Sequence, residues 1–166
     1  MAEKKPQRLL ITIAAATAIL AVAALLIFIG GNDDKEMLVL TDGNTGEEYV
    51  SFEAYEGMEF GVSFIHSVNK SEVYEVYEII DGDIVLMSCL YSAFGAGVAT
   101  EIEDGQTLEY TEDGKMLISN INRVIPNLSY IVGTVSDHVL RIEGEEISLR
   151  DLCGRNSVVR FSIIKE

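Results

Sequence analysis

Residues 58–80 read MEFGVSFIHSVNKSEVYEVYEII, and this stretch decides the fold. Phe60, Val62 and Phe64 alternate with Gly61 and Ser63; after a polar break, Val73, Tyr77 and Ile79 alternate in the same way. A period of two residues places one set of side chains on one face of an extended strand. Two such runs about a turn near Asn69-Lys70 predict a β-hairpin. The same pattern continues outward in both directions. Strands are expected near 37–41, 47–55, 58–66, 73–80, 83–92, 106–111, 115–121, 129–135, 138–142, 145–149 and 157–164. Asp42-Gly43-Asn44, Asp81-Gly82-Asp83, Asp104-Gly105, Asp113-Gly114 and Glu143-Gly144 supply the turn chemistry between them. Leu149–Cys153 reads as a short helical turn, and there is no internal repeat. Many short strands at hairpin spacing predict an all-β domain over residues 37–166, an antiparallel β-sandwich or a barrel-like variant.

The amino-terminal part is different. Residues 9–29, LLITIAAATAILAVAALLIFI, hold only Thr12 and Thr17 as polar side chains. At about 1.5 Å per residue such a helix spans roughly the 30 Å hydrocarbon core of a bilayer. Lys4, Lys5 and Arg8 precede it, and Asn32, Asp33 and Asp34 follow. The expected order is a cytoplasmic N-terminus (1–8), one transmembrane helix (9–29), a linker (30–36) opened by Gly30-Gly31, and an extracytoplasmic domain (37–166). The location expected is the cell membrane, single-pass. A cleaved signal peptide is the rival reading. Its apolar region is normally shorter, and here Leu25–Ile29 occupy the place of a small-residue cleavage region.

The chain has 166 residues, 27 acids against 12 Lys and Arg, and a formal net charge of −15. Such a balance offers no basic surface to replace phosphate counterions, so nucleic acid is not an expected partner. Apolar residues make up 48%, enough to bury a core. The charge is uneven: residues 42–113 carry 17 acids and one base, Lys70, whereas 114–166 carry seven bases and six acids. An acidic surface keeps a domain soluble; it could also dock a basic partner or attract cations. Two cysteines, Cys89 and Cys153, make neither a disulfide scaffold nor a zinc site by themselves. An oxidising compartment would permit a bond between them, although Cys89 also reads as a small buried apolar residue. Asp42, Asn44 and Glu48 fall short of a calcium-loop pattern, and a hairpin turn is the simpler reading.

Strand parity places His66 with Phe60, Val62 and Phe64, and Glu75 with Val73, Tyr77 and Ile79. A carboxylate on an inward face needs a partner, and a His66–Glu75 hydrogen bond across the hairpin is the expected solution. The same pair could instead read a proton or hold a small polar solute. Ser67 follows His66 directly, so on a regular strand the two would face opposite sides and could not act as nucleophile and base. His138 falls in a turn region, and no Gly-x-Ser-x-Gly elbow is present. Gly95-Ala96-Gly97 lacks the Lys-Ser/Thr of a phosphate loop and reads as a tight turn or bulge.

Phe64-Ile65-His66-Ser67-Val68, with Glu75 and Tyr77 on the returning strand and Ser92-Ala93-Phe94-Gly95-Ala96-Gly97 beyond, resembles the uncharacterised bacterial family known as domain of unknown function 1850. The likeness covers roughly residues 48–164. Val98-Ala99 departs from the apolar residue and proline that usually follow the Gly-Ala-Gly. The resemblance implies a small exported or membrane-anchored protein, often encoded beside TRAP transporters of the TAXI type, and supplies no agreed activity. The expected function is that of an anchored extracytoplasmic binding or accessory protein, touching a solute-binding protein or a permease. The alternatives are a small Ser/His hydrolase and a structural envelope protein with an acidic cation-binding face. The candidate ligand or interaction residues are His66, Ser67, Glu75, Tyr77, Ser92, Gly95 and Gly97. No catalytic residue, metal ligand or cofactor is assigned.

Overall fold

The hairpin grammar produces two antiparallel sheets on one core. The structure, a computed structural model, describes residues 35–68, 70–92 and 102–165. The chain divides into two units, Met1–Asp34 and Lys35–Glu166, and everything below concerns the second. The expected transmembrane helix at 9–29 and the Gly95-Ala96-Gly97 turn lie outside the described residues. Among the described residues no helix is long and apolar enough to cross a membrane.

The elements in chain order are β1 (Glu36–Asp42), β2 (Glu48–Ala54), β3 (Glu59–Ile65), β4 (Glu72–Ile80), β5 (Asp83–Tyr91), β6 (Thr107–Tyr110), β7 (Met116–Ser119) and β8 (Arg123–Val124). Then follow β9 (Ser129–Ile131), β10 (His138–Ile142), β11 (Glu145–Ser148), a one-turn helix α1 (Leu149–Cys153) and β12 (Val158–Lys165). A four-stranded sheet runs β2-β1-β12-β9. An eight-stranded sheet runs β11-β10-β3-β4-β5-β7-β6, with β8 also on β5. The fold is all-β and antiparallel, arranged as a sandwich.

Turn residues set the registers. β4 and β5 are joined by Asp81-Gly82 between the paired Ile80 and Asp83, and β10 and β11 by Glu143-Gly144 between Ile142 and Glu145. In both loops the two central residues have positive φ, from 50° to 82°, the type I′ geometry that matches strand twist. α1 starts where the Ser148 hydroxyl accepts from the Asp151 N–H at 3.0 Å, an N-cap.

Alternation then fills the core from both sheets. The eight-stranded sheet contributes Phe60, Val62, Tyr77, Ile79, Leu86, Leu140 and Ile142; the four-stranded sheet contributes Leu38, Leu40, Val159 and Phe161. Phe161 stacks on Phe60 with ring centroids 5.8 Å apart, joining the layers at their centre. A separate small cluster, Met116 and Ile118 against Tyr91 and Ile121, lies on the β5–β7 side.

One expectation needs correction, and the structure adds two points that the sequence did not decide. The strand expected over 129–135 ends at Ile131. Val132 still exchanges backbone hydrogen bonds with Ser157 and Asn156, but the chain then turns so closely that a Cβ on Gly133 would meet the Ser136 carbonyl. The short pairing of β8 with β5 carries no alternation, being two residues long, and was not expected. Cys89 and Cys153 are free thiols, one buried in β5 and the other on α1.

Candidate functional site

The β3–β4 hairpin places its pairs by register: Val62 lies opposite Glu75 and Phe64 opposite Val73. His66, just past β3, donates its N–H to the Ser71 carbonyl at 2.8 Å and accepts from the Lys70 N–H at 3.0 Å. His66 therefore belongs to the loop and stands about four residues, or roughly 13 Å, along the strands from Glu75. The expected His66–Glu75 bond is replaced by two other arrangements.

Glu75 is tied across the sandwich. Its Oε2 accepts from the Tyr130 hydroxyl at 2.5 Å and from the Tyr77 hydroxyl at 3.1 Å, and the two hydroxyls lie 2.7 Å apart. Tyr77 is on the neighbouring inward position of β4, and Tyr130 comes from β9 of the opposite sheet, where it pairs with Val159. Both phenols are raised well above their ordinary pKa, first by burial and then by the adjacent Glu75 charge. They stay protonated and serve as donors to the carboxylate. The need for a partner was legible in Glu75; the partner lies in a strand 55 residues away and not across the hairpin. Cys89, directly opposite Glu75 on β5, is pushed up to about 12, mainly by burial, which keeps it as the neutral thiol.

His66 and Ser67 instead line a cleft of about 330 Å³ at one end of the sandwich. β3 ends at Ile65, so the strand parity that would set His66 and Ser67 on opposite faces does not apply to them, and both residues line this cleft. Lys70, with φ 58°, closes the loop on the same side. The facing wall is the segment after β9, with Thr134 and Ser136, and His138 at the start of β10.

That wall is braced by polar contacts. His138 Nδ1 accepts from the Gly133 N–H at 3.2 Å, and the Arg150 guanidinium donates to the Gly133 carbonyl at 3.3 Å. Asp137 accepts from the Ser148 hydroxyl at 2.5 Å and the Arg150 N–H at 3.0 Å, which turns its carboxylate to the α1 side. Burial opposes ionisation of Asp137, yet these hydrogen bonds and the Arg150 charge outweigh it, leaving its pKa below the ordinary value. The His138 ring stacks on Phe64, its cross-strand partner, at 5.1 Å and packs against Tyr130 at 5.7 Å. Burial lowers its pKa; Asp137 pulls the other way and Arg150 reinforces the lowering. A neutral His138 that accepts at Nδ1 carries its proton on Nε2. His66 Nδ1 accepts from the Val68 N–H at 3.3 Å.

Of the sequence-derived set, His66 and Ser67 are together in the cleft, and Glu75 and Tyr77 are together in the tyrosine cluster. Ser92 sits just past β5, where its N–H continues the ladder to the Glu72 carbonyl at 2.9 Å. Gly95 and Gly97 are outside the described residues. Sequence reasoning missed Tyr130 and His138. Tyr130 had a signal: it shares parity with Leu128 and Val132, both buried, and an inward tyrosine needs a partner for its hydroxyl. His138 had none, since Phe64 is more than seventy residues earlier in the chain.

Asp42 uses its carboxylate locally. It accepts from the N–H groups of Asn44 and Thr45 at 2.7 and 2.8 Å and from the Tyr49 hydroxyl at 2.8 Å. These contacts make an Asx-type turn between β1 and β2. Among the described residues no group of three or more His, Cys, Asp or Glu could hold a metal ion.

Fold and cleft together define a small β-sandwich with a two-histidine, hydroxyl-lined cleft at one end. The family model described as Domain of unknown function (DUF1850) matches residues 60–149, and the chain belongs to this family. No curated protein and no solved structure matches the chain.

Proposed function

We propose that this protein is an extracytoplasmic binding or accessory component of a solute transport system, held at the cell membrane by residues 9–29 with its N-terminus in the cytoplasm. The single observation that carries a binding role is the cleft, where two distant loops bring His66, Ser67 and Lys70 opposite Thr134, Ser136 and His138. Pockets of this size with a few convergent polar groups are typical of small-ligand sites. The apolar run at 9–29 supports the anchor, which would raise the domain's effective concentration beside membrane partners. The family resemblance supports a solute-binding protein or permease of a TAXI-type TRAP system as that partner.

A Ser/His hydrolase draws support from His66 and Ser67 lining one cleft. It lacks a base held by a carboxylate: His66 Nδ1 accepts from Val68 and His138 Nδ1 from Gly133, so neither ring is oriented by an acid there. The binding reading is tested by two experiments on the full chain in its own cells. Protease shaving of intact cells should remove the carboxyl-terminal domain, and mild detergent extraction should co-purify a transporter subunit. A domain that survives shaving, or extraction that brings down no transport component, overturns it.

A further inference from the structure

The cleft is chemically unlike the rest of the molecule. The chain holds 27 acids, yet no Asp or Glu is among the described residues that line it, and Asp137 beside it is committed to Ser148 and Arg150. Lys70, the one base among residues 42–113, is in it, together with both histidines of the chain. The result is a local excess of donors in a protein whose surface repels anions. His138 adds a directed donor: with Nδ1 accepting from Gly133, its Nε2–H is free to point at a ligand oxygen. The rim is apolar. Ile65 is 40% exposed, Ile131 64% and Val135 87%, and all three border the same opening. Single exposed apolar side chains need no explanation, but several around one polar cleft mark a binding surface.

We propose that this cleft binds a small organic acid carrying one carboxylate and a short apolar body. The carboxylate is held by the Lys70 ammonium and the His138 Nε2–H, with hydroxyls from Ser67, Thr134 and Ser136. The hydrocarbon part lies on Ile131 and Val135. The volume of about 330 Å³ admits one small molecule. Inorganic phosphate fits less well, because no Arg lines the cleft to grip it bidentately and the apolar rim would stay unused. A metal ion would find two histidines and no carboxylate or thiolate to complete its shell.

This inference rests on the cleft being the binding site of the proposed function, and its test is independent of anchoring and of transporter association. The full chain, purified in a non-ionic detergent at pH 7, is titrated calorimetrically with acetate, butyrate, hexanoate, butyramide, inorganic phosphate and nickel chloride. Butyrate and hexanoate should bind more tightly than acetate, and butyramide roughly ten-fold or more weaker than butyrate, since a charge-assisted contact is lost. Lys70→Gln, an exposed change that spares the fold, should weaken butyrate by a similar factor. Val135→Ser should reduce the gain from acetate to hexanoate without affecting acetate. The proposal is overturned if the acids do not bind, if butyramide binds as well as butyrate, if Lys70→Gln binds like the parent, or if phosphate or nickel binds more tightly than every acid. Those results would leave shaving and co-purification unaffected, so the two readings fail separately.

Discussion

The two sheets are built from different parts of the chain. In the eight-stranded sheet most neighbours are consecutive: β3, β4 and β5 form a meander, and β10–β11 and β6–β7 are hairpins. The four-stranded sheet joins β1 and β2 to β12, so Asp42 pairs with Val159 across more than a hundred residues. The stretch matching the family, 60–149, contains nearly all of the eight-stranded sheet and only β9 of the other. β9 is thus the piece that couples them: it hydrogen-bonds to β12, sends Tyr130 to Glu75, and leads into the cleft wall. The difference teaches that the cleft draws one wall from the locally paired β3–β4 hairpin and the other from β9 and the segment after it, and that β9 is held by β12, a strand outside the matched stretch.

The largest effect comes from removing that support. The fragment 59–149 would expose the inward faces of Phe60, Val62, Tyr77, Ile79 and Leu140, each worth about 1.5–3 kcal/mol on burial, against a total stability of order 5–15 kcal/mol. It should show no cooperative unfolding transition by circular dichroism, and a sharp transition would mean the eight-stranded sheet stands alone. Next is Phe161→Ala on β12, which removes the ring stacked on Phe60 and edge-on to Tyr130. A loss of about 3–5 kcal/mol is expected in urea denaturation. Met116→Ala in the small cluster beyond should cost less, nearer 2 kcal/mol, because fewer buried neighbours surround the void. Equal losses would show that the small cluster is as tightly packed as the shared core.

The two sheets also differ in how well they can be read. Strand existence, turn positions and the inward parity of Phe60, Val62, Tyr77 and Ile79 were legible, because alternation and Asp-Gly or Glu-Gly turns are local signals. Pairing between distant strands was not, since the β1–β12 register leaves no mark in either segment. The site followed the same division. His66 and Ser67 were picked out by strand parity and by the family resemblance, but the hairpin register alone decides that Glu75 lies opposite Val62 and out of reach of His66. His138 became a site residue because β10 pairs with β3, a contact encoded by no short pattern.

Tyr130→Phe tests the coupling with a smaller change. It keeps the ring against Phe64, His138 and Phe161 and deletes only the hydroxyl. Glu75 would retain Tyr77 as its donor, so a loss of about 1–3 kcal/mol is expected, below that of Phe161→Ala. Tyr77→Phe should give a similar or smaller loss, its bond to Glu75 being longer at 3.1 Å. A neutral Tyr130→Phe would mean that the sheets are held by packing alone and that the tyrosine cluster contributes nothing net.

The smallest effects separate the sheets by pH. His138, at the start of β10, sits below its ordinary value of 6.5 because burial disfavours the imidazolium. As the pH falls from 6.5 the unfolded chain takes up this proton before the folded one, so stability declines until the folded His138 is itself protonated. Asp42, in the β1–β2 turn, is held below 3.8 by the Thr45 N–H, then by the Tyr49 hydroxyl and the Asn44 N–H. Its contribution is complete above 3.8 and disappears as the pH falls through the lower folded value. Urea midpoints taken at successive pH values should therefore show a mild-acid slope that His138→Gln flattens and Asp42→Asn leaves intact. Below pH 3.8 the parent should lose stability faster than Asp42→Asn; Asp113 and Asp137, also lowered, supply the decline that remains in the variant. A mild-acid slope that survives His138→Gln would mean that the histidine is not disfavoured as a cation at the cleft wall, and that its ring is open to water from the side now packed on Phe64 and Tyr130.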